Sequence, residues 1–505
     1  MSNSVLTLNG SVLVSNNSVV TADVGGSSSD VELESGVIFI DYDGTVIETW
    51  QTSEVASKSA LPSNPTHSGL TSQGWNWTLA DIKSYMSSYS SAVLTVGQNY
   101  VTSDGTTQID TTLESDALHP YLGIYGVSST SAWTVDWGDG STSSSVSGSS
   151  TRWADHTYST AGNYTIKITV TNGSIRLYSS SSSYCMMSNT NSFSNSFIYA
   201  QTVKNIRLGN NIDFGVNACT NLFNLETITI PNTVSMSGGI SPQSSDGSCF
   251  YFCLSLKAVV IPSVVTHICY NLFNGCYSMK FVSIPKSIAT VGYYNSNTDV
   301  SYGQMFSQCI NLKYVAFPQG ILSLPFNCFG SCYNLVNFII PTTVTTIYGS
   351  CFNGAYKIKN IVMPNSITTL GPSTFYGCYL LQEVILPNSI TTLSNSMFYT
   401  DRLLKHIIIP NTVTTIGNSV FNGCYSLMDI TIPSSVTSIG TSAFSSCYSL
   451  TEIHFKSTTP PTIDSSNAFS SLPTTCTIYV PTGYLSAYTS ASNYPSSLTY
   501  TYVEE

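Results

Sequence analysis

A chain of 505 residues is too long for one ordinary core, so several domains or one elongated array is expected. Only 9% of residues are charged against 42% hydrophobic, and Ser, Thr, Asn and Tyr supply most of the polar surface, the balance of an extracellular or virion β-rich protein. The net charge of −11 is thinly spread with no Lys/Arg cluster, which argues against nucleic-acid binding, and no apolar run of about 18 residues exists to span a bilayer.

Residues 1–36 open with MSNSVLTLNGSVLVSNNSV, which has neither a basic n-region nor a continuous apolar h-region and so does not read as a secretory signal. This segment is expected to be β and to provide particle attachment. Residues 37–88 follow with a strand ending in Asp41, Asp43, Gly44 and Thr45, then Pro62, Pro65 and Thr66, then Gly69, Gly74 and Trp75. That text resembles the Listeria–Bacteroides surface repeat, which implies a small β-grasp-like unit; Leu70 stands where the family has an aromatic.

The same stretch, Phe39 to Thr45, also matches the first motif of haloacid-dehalogenase-type phosphatases, with Asp41 as nucleophile and Asp43 as general acid. That chemistry needs a parallel α/β fold with a lysine and a distal acidic pair. A short Pro-rich module follows instead, so an enzyme is not expected.

Residues 89–175 contain Val135-Asp136-Trp137-Gly138-Asp139-Gly140, then His156-Thr157-Tyr158, then Gly162-Asn163-Tyr164 opening an alternating strand. These motifs resemble a PKD-type domain, which implies a β-sandwich serving as spacer or interaction module. Asp136, Asp139 and Asp155 lack the ligand density of a calcium loop and read as turn residues. The six histidines are scattered, with no zinc-type spacing, so no metal or cofactor is expected.

From residue 176 to 475 the chain repeats. Prolines at 318, 341, 364, 387, 410 and 433 recur every 23 residues, as do Pro262 and Pro285. Pro231 to Pro262 is eight residues longer and Pro285 to Pro318 ten longer, and both insertions are polar loops expected on the working side. Each turn has a strand-like segment before Pro, Val/Ile three and six residues after it, then Phe and Cys-x-x-Leu. Cys253, Cys276, Cys309, Cys332, Cys378, Cys424 and Cys447 each lie three residues after Phe and are expected to be reduced core thiols. This pattern resembles the BspA-like (Treponema-type) leucine-rich-repeat family, and Cys476 to Tyr494 looks like its closing cap. Residues 476–505 are therefore read as a C-terminal cap.

The fold expected is mainly β: a leucine-rich-repeat solenoid of 23-residue period preceded by a PKD-like β-sandwich and a β-grasp-like module. Two surface columns are candidate sites. Tyr277, Tyr333, Tyr356, Tyr379, Tyr425 and Tyr448 follow the Cys column and should form an exposed ladder suited to sugar rings or protein surfaces. Ile339, Val362, Ile385 and Ile408, two residues before Pro, should form an outward apolar stripe that fits domain packing or a homo-oligomer contact as well as a receptor.

Together these modules resemble gut-phage virion adhesins. They imply a non-enzymatic tail-associated or head-fibre protein, held by other virion proteins through its N-terminal region and binding a bacterial surface glycan or protein. A bacterial cell-surface adhesin and a decoration protein that binds no receptor are the alternatives.

Overall fold

The computed structural model describes residues 33–505 apart from 114–119, 142–143, 149–150, 178–185, 189–201, 216, 235–247, 270, 296–299 and 497–498, together with the backbone of two short strands, Leu6–Leu8 (β1) and Ser11–Leu13 (β2). Those two pair antiparallel and belong to a separate unit ending at Leu33; residues 34–505 form the other. The rest of 1–32, His119 and most of the first solenoid insertion lie outside the described residues.

The second unit begins with Gly36–Ile40 (β3), Val46–Gln51 (β4), a single helical turn Thr52–Val55 (α1), Leu70–Trp75 (β5), Leu79–Ser88 (α2) and Val93–Thr102 (β6). The sheet order is β4-β3-β6-β5, with β3 and β6 parallel and each flanked by an antiparallel partner, β3 by its hairpin partner β4 and β6 by β5 across the α2 connection, a β-grasp-like arrangement. Its central strand β6 lies beyond residue 88, so the module runs on into what the sequence assigns to the sandwich. Thr78 caps α2 by accepting from the Asp81 N–H, and Ile82, Tyr85 and Met86 turn inward onto Phe39, Trp50 and Val96.

Thr107–Leu113 (β7), Tyr121–Gly126 (β8), Ala132–Asp136 (β9), Ser144–Ser147 (β10), Thr151–Asp155 (β11), Gly162–Asn172 (β12) and Ile175–Leu177 (β13) make two packed antiparallel sheets. Both continue without a break into the solenoid. β7 pairs antiparallel with Val203–Arg207 (β14), which pairs in parallel with Thr227–Thr229, while β13 pairs in parallel with Ile212–Phe214. The sandwich is thus the N-terminal cap of the array, and one apolar core runs from Ile109 to Tyr488.

Each turn is built by the same few bonds. After Pro the chain reverses, the N–H of Val344, Ile367, Val413 and Val436 donating to the proline carbonyl three residues back at 3.0–3.1 Å. The hydroxyl two residues after Pro (Ser366, Thr412, Ser435) donates 2.7 Å to a carbonyl 22 residues earlier, tying turn to turn. Two-residue strands such as Thr346–Ile347 and Thr369–Leu370 then pair in parallel, in register.

Inside, Phe329, Phe352, Phe375, Phe398 and Phe421 stack with centroids 5.5–5.6 Å apart and planes within 9°. The expected cysteines are buried beside them, and none of the described cysteines forms a disulfide. Cys378, Cys424 and Cys447 donate through Sγ to the carbonyl of the Phe one turn earlier at 3.1–3.2 Å. Of the second insertion, Tyr293–Asn295 and Val300–Tyr302 form an antiparallel hairpin.

The α/β module lies on the sheet face of the first turns. Gly97 permits this: a Cβ there would stand 2.4 Å from Val260 Cγ2. Asn76 and Trp77 enter the same contact, and Lys286 pairs with Asp81 at its rim.

Phe375 is wholly buried between two identical rings, so Phe375→Ala leaves a cavity that its neighbours cannot close without breaking register. A loss of about 3–5 kcal/mol is expected in denaturant unfolding; unchanged stability would remove Phe375 from the core.

Candidate functional site

Burial of the Cys side chain turns the following residue outward, and in-register stacking sets that residue above its counterpart. Tyr333, Tyr356 and Tyr379 accordingly stack at 4.5 and 4.7 Å with planes 1° and 10° apart, and Tyr425 and Tyr448 at 5.2 Å. Between the two groups the Arg402 guanidinium lies 4.7 Å from the Tyr379 ring and 5.6 Å from the Tyr425 ring. Arg402 is a rung of the ladder, joining it by cation–π contact. It is not tyrosine, and only its position, 23 residues from each neighbouring tyrosine, marks it in the sequence.

Tyr277 does not belong to this run. The intervening turn carries Ile310, which offers no ring to stack on, and Tyr277 packs on Phe252 and donates to Gln308 Oε1 at 3.0 Å. A second stacked pair, Tyr376 and Tyr399 at 4.8 Å, lies one residue after the Phe column.

Stacking decides what the ladder presents. Faces of the inner rings cover one another, so solvent meets ring edges and hydroxyls, with one guanidinium in the middle. Burial, then the neighbouring Tyr333 and Tyr379, pushes the Tyr356 hydroxyl up to about 12, so it stays protonated and able to donate at neutral pH. Tyr333, Tyr425 and Tyr448 are exposed; Tyr356 and Tyr379 are half-buried. The edge is a linear row of neutral hydroxyls at the repeat spacing, a geometry that fits an extended, hydroxyl- or carbonyl-rich ligand.

The apolar stripe divides in two. Ile339 is half-buried against the core of the α/β module, so for that residue the expected outward face is a domain contact. Val362, Ile385 and Ile408 point away from the core as expected, 60%, 59% and 85% exposed.

The acidic motifs close turns. Asp41 and Asp43 sit in the β3–β4 hairpin, where Asp41 Oδ1 accepts from the Tyr42 N–H, Asp43 Oδ1 accepts from the Thr45 N–H, and Asp41 Oδ2 holds His67 at 2.6 Å. An antiparallel hairpin at this point is not the strand-to-helix crossover that the phosphatase motif requires. Asp136 accepts from the Gly138 N–H and Asp139 from the Ser141 N–H and His156. Burial alone would raise Asp139, but the hydrogen bonds from Ser141 and His156 outweigh it and hold the carboxyl at about 2. Among the described residues no three His, Cys, Asp or Glu side chains gather as a metal site, and no helix is long and apolar enough to cross a membrane.

A parallel, in-register array with one Phe and one Leu column per turn is a leucine-rich-repeat solenoid. The model of the BspA type leucine rich repeat region matches residues 243–298, 302–428 and 395–505, just over half of the chain, and the chain belongs to that family. Such proteins are generally non-enzymatic structural or adhesion proteins, typically extracellular or at the cell surface.

Among solved structures, a leucine-rich repeat protein from Bacteroides ovatus is 23% identical, covering 60% of this chain and 76% of that one, with a TM-score of 0.42. A leucine rich cell surface protein from Faecalibacterium prausnitzii is 24% identical, covering 51% and 74%, with a TM-score of 0.34. The leucine rich repeat protein of T. pallidum is 27% identical, covering 34% and 77%, with a TM-score of 0.30. No curated protein matches the chain.

The turn carrying Arg402 departs from the repeat in its core column as well. Asp401 replaces the core Cys; it is wholly buried, Oδ1 accepts from the Cys378 N–H at 2.7 Å, and Oδ2 has no partner among the described residues. Burial raises its carboxyl well above the ordinary range. The folded chain therefore keeps a proton that the unfolded chain releases, and stability falls as pH rises above about 4 until the folded-state value is reached. Asp401→Asn is expected to flatten the decline of Tm as pH rises above about 4; an unchanged slope would show a solvated carboxylate.

Thr400 occupies the left-handed region at φ 61° where Gly377 and Gly423 stand one turn away on either side. A β-branched residue is strained there, so Thr400→Gly should add about 1 kcal/mol in equilibrium unfolding; destabilisation would count against strain at this turn.

Proposed function

We propose that this protein is an adhesin displayed at a bacterial cell surface, which grips a glycan or protein through the tyrosine–arginine edge of its solenoid. The observation that carries this reading is the unbroken row from Tyr333 through Arg402 to Tyr448, a linear polar–aromatic edge on a fold whose family is devoted to structure and adhesion. Membership of a family typically found outside or on the cell favours this over a tail-associated or head-fibre adhesin or a decoration protein in a virion. Those readings share the modules but draw no support from the family.

The test is binding of the full chain to immobilised bacterial envelopes, host-cell surfaces and glycan arrays, with Tyr356→Ala/Tyr379→Ala alongside. Loss of two central stacked aromatics is expected to weaken binding about tenfold or more, with the far-ultraviolet spectrum retained. Undiminished binding by the double variant would remove the ladder from the adhesive face. Fractionation of producing cells and of phage particles, with detection of the chain, separates cell surface from virion.

A further inference from the structure

On the sheet face two rows run side by side along the array: the outward residue two positions before each Pro, and the carbonyl of the residue immediately before it. Proline creates the second row. In a parallel ladder that carbonyl would accept from the N–H of the residue at the Pro position of the next turn, and proline has none. Where Lys456 takes that position, its N–H does donate, to the Ile432 carbonyl at 3.0 Å.

Over the first turns the chain's own α/β module satisfies both rows. Val260, Ser283 and Ala316 are buried beneath it. Side-chain donors reach the open carbonyls: Asn99 to Ile230 at 3.0 Å, Asn76 to Ile261 at 3.0 Å and Trp77 to Ile284 at 2.8 Å. Both rows then continue beyond the module into Val362, Ile385 and Ile408 and the carbonyls of Met363, Leu386 and Ile409, which receive no hydrogen bond among the described residues.

The charge around this open stretch is net positive, opposite to that of the chain. Lys357, Lys359 and Lys405 are exposed there, with Arg402 on the neighbouring ladder, against Glu383 and Asp429, in a protein of net charge −11. Residues 34–175 hold 13 acidic residues against four basic ones.

We propose that the Val362–Ile385–Ile408 stretch is a docking site for a second copy of the chain, which seats its acid-rich N-terminal modules on the aliphatic row and donates to the open carbonyls. The solenoid rows are the same ones that the chain's own module covers further up, while the incoming modules use a face other than the one buried on their own first turns; the contact is head-to-back, so it propagates from copy to copy. A stripe-on-stripe dimer would instead set one net-positive surface against its copy. Three side chains make a small contact, weak for a single pair of molecules and effective where copies are crowded on one surface.

Sedimentation velocity of the full chain over a concentration series, at low and high salt, tests this. Concentration-dependent self-association that weakens with salt is expected, with the dissociation constant raised about tenfold or more by Ile385→Asn/Ile408→Asn and likewise by Lys359→Glu/Lys405→Glu. These residues are exposed, so thermal unfolding should be preserved in both variants and serves as the folding control. A chain that stays monomeric to its solubility limit overturns the proposal. So does self-association that neither pair alters, or that the lysine reversals strengthen, the mark of symmetric pairing.

Discussion

A single turn of 23 residues cannot bury its own phenylalanine. Phe375 is covered above and below by the identical side chains of its neighbours, and they by theirs, so the apolar core exists only as a property of the stack. Everything else in the solenoid follows from keeping those rings in register. Most strands are only two to four residues long because their task is to lock register, the serine and threonine hydroxyls after Pro tie each turn to the one before, and the thiol column fills the remaining space with donors that reach back one turn.

Such an array has two raw ends, and the chain covers both. At the front the sandwich does not abut the solenoid but becomes it, its two antiparallel sheets passing into parallel pairing at β14 and β13. At the back the last strands, Thr477–Val480 and Thr501–Glu504, extend the sheet while Tyr488 and Tyr494 close over Phe455. Since no joint interrupts the core between Ile109 and Tyr488, sandwich and solenoid behave as one body.

What could be read in advance was whatever repeats. Period, Phe and Cys columns, outward tyrosines and the apolar stripe all declare themselves at fixed spacing, and a periodic structure converts spacing directly into position. What could not be read falls into two kinds. Asn76, Trp77 and Gly97 meet carbonyls and side chains some 200 positions away, and nothing local to them signals a partner at that distance. Asp401 and Arg402 are hard to read for the opposite reason: they occupy repeat positions with residue types that the pattern lacks, so periodicity alone does not mark them. Tyr277 and Ile339 were placed correctly in their columns and differ only because a neighbour, Ile310 in one case and the α/β module in the other, changes what they touch.

The module that straddles the early turns also divides the array mechanically. From Ile230 to Ile339 the turns are splinted from outside by a second sheet, whereas beyond Val362 they are held by the contacts of turn with turn. To peel the array apart from its far end is therefore to break one set of contacts per turn until the module is reached, and two sets from there on.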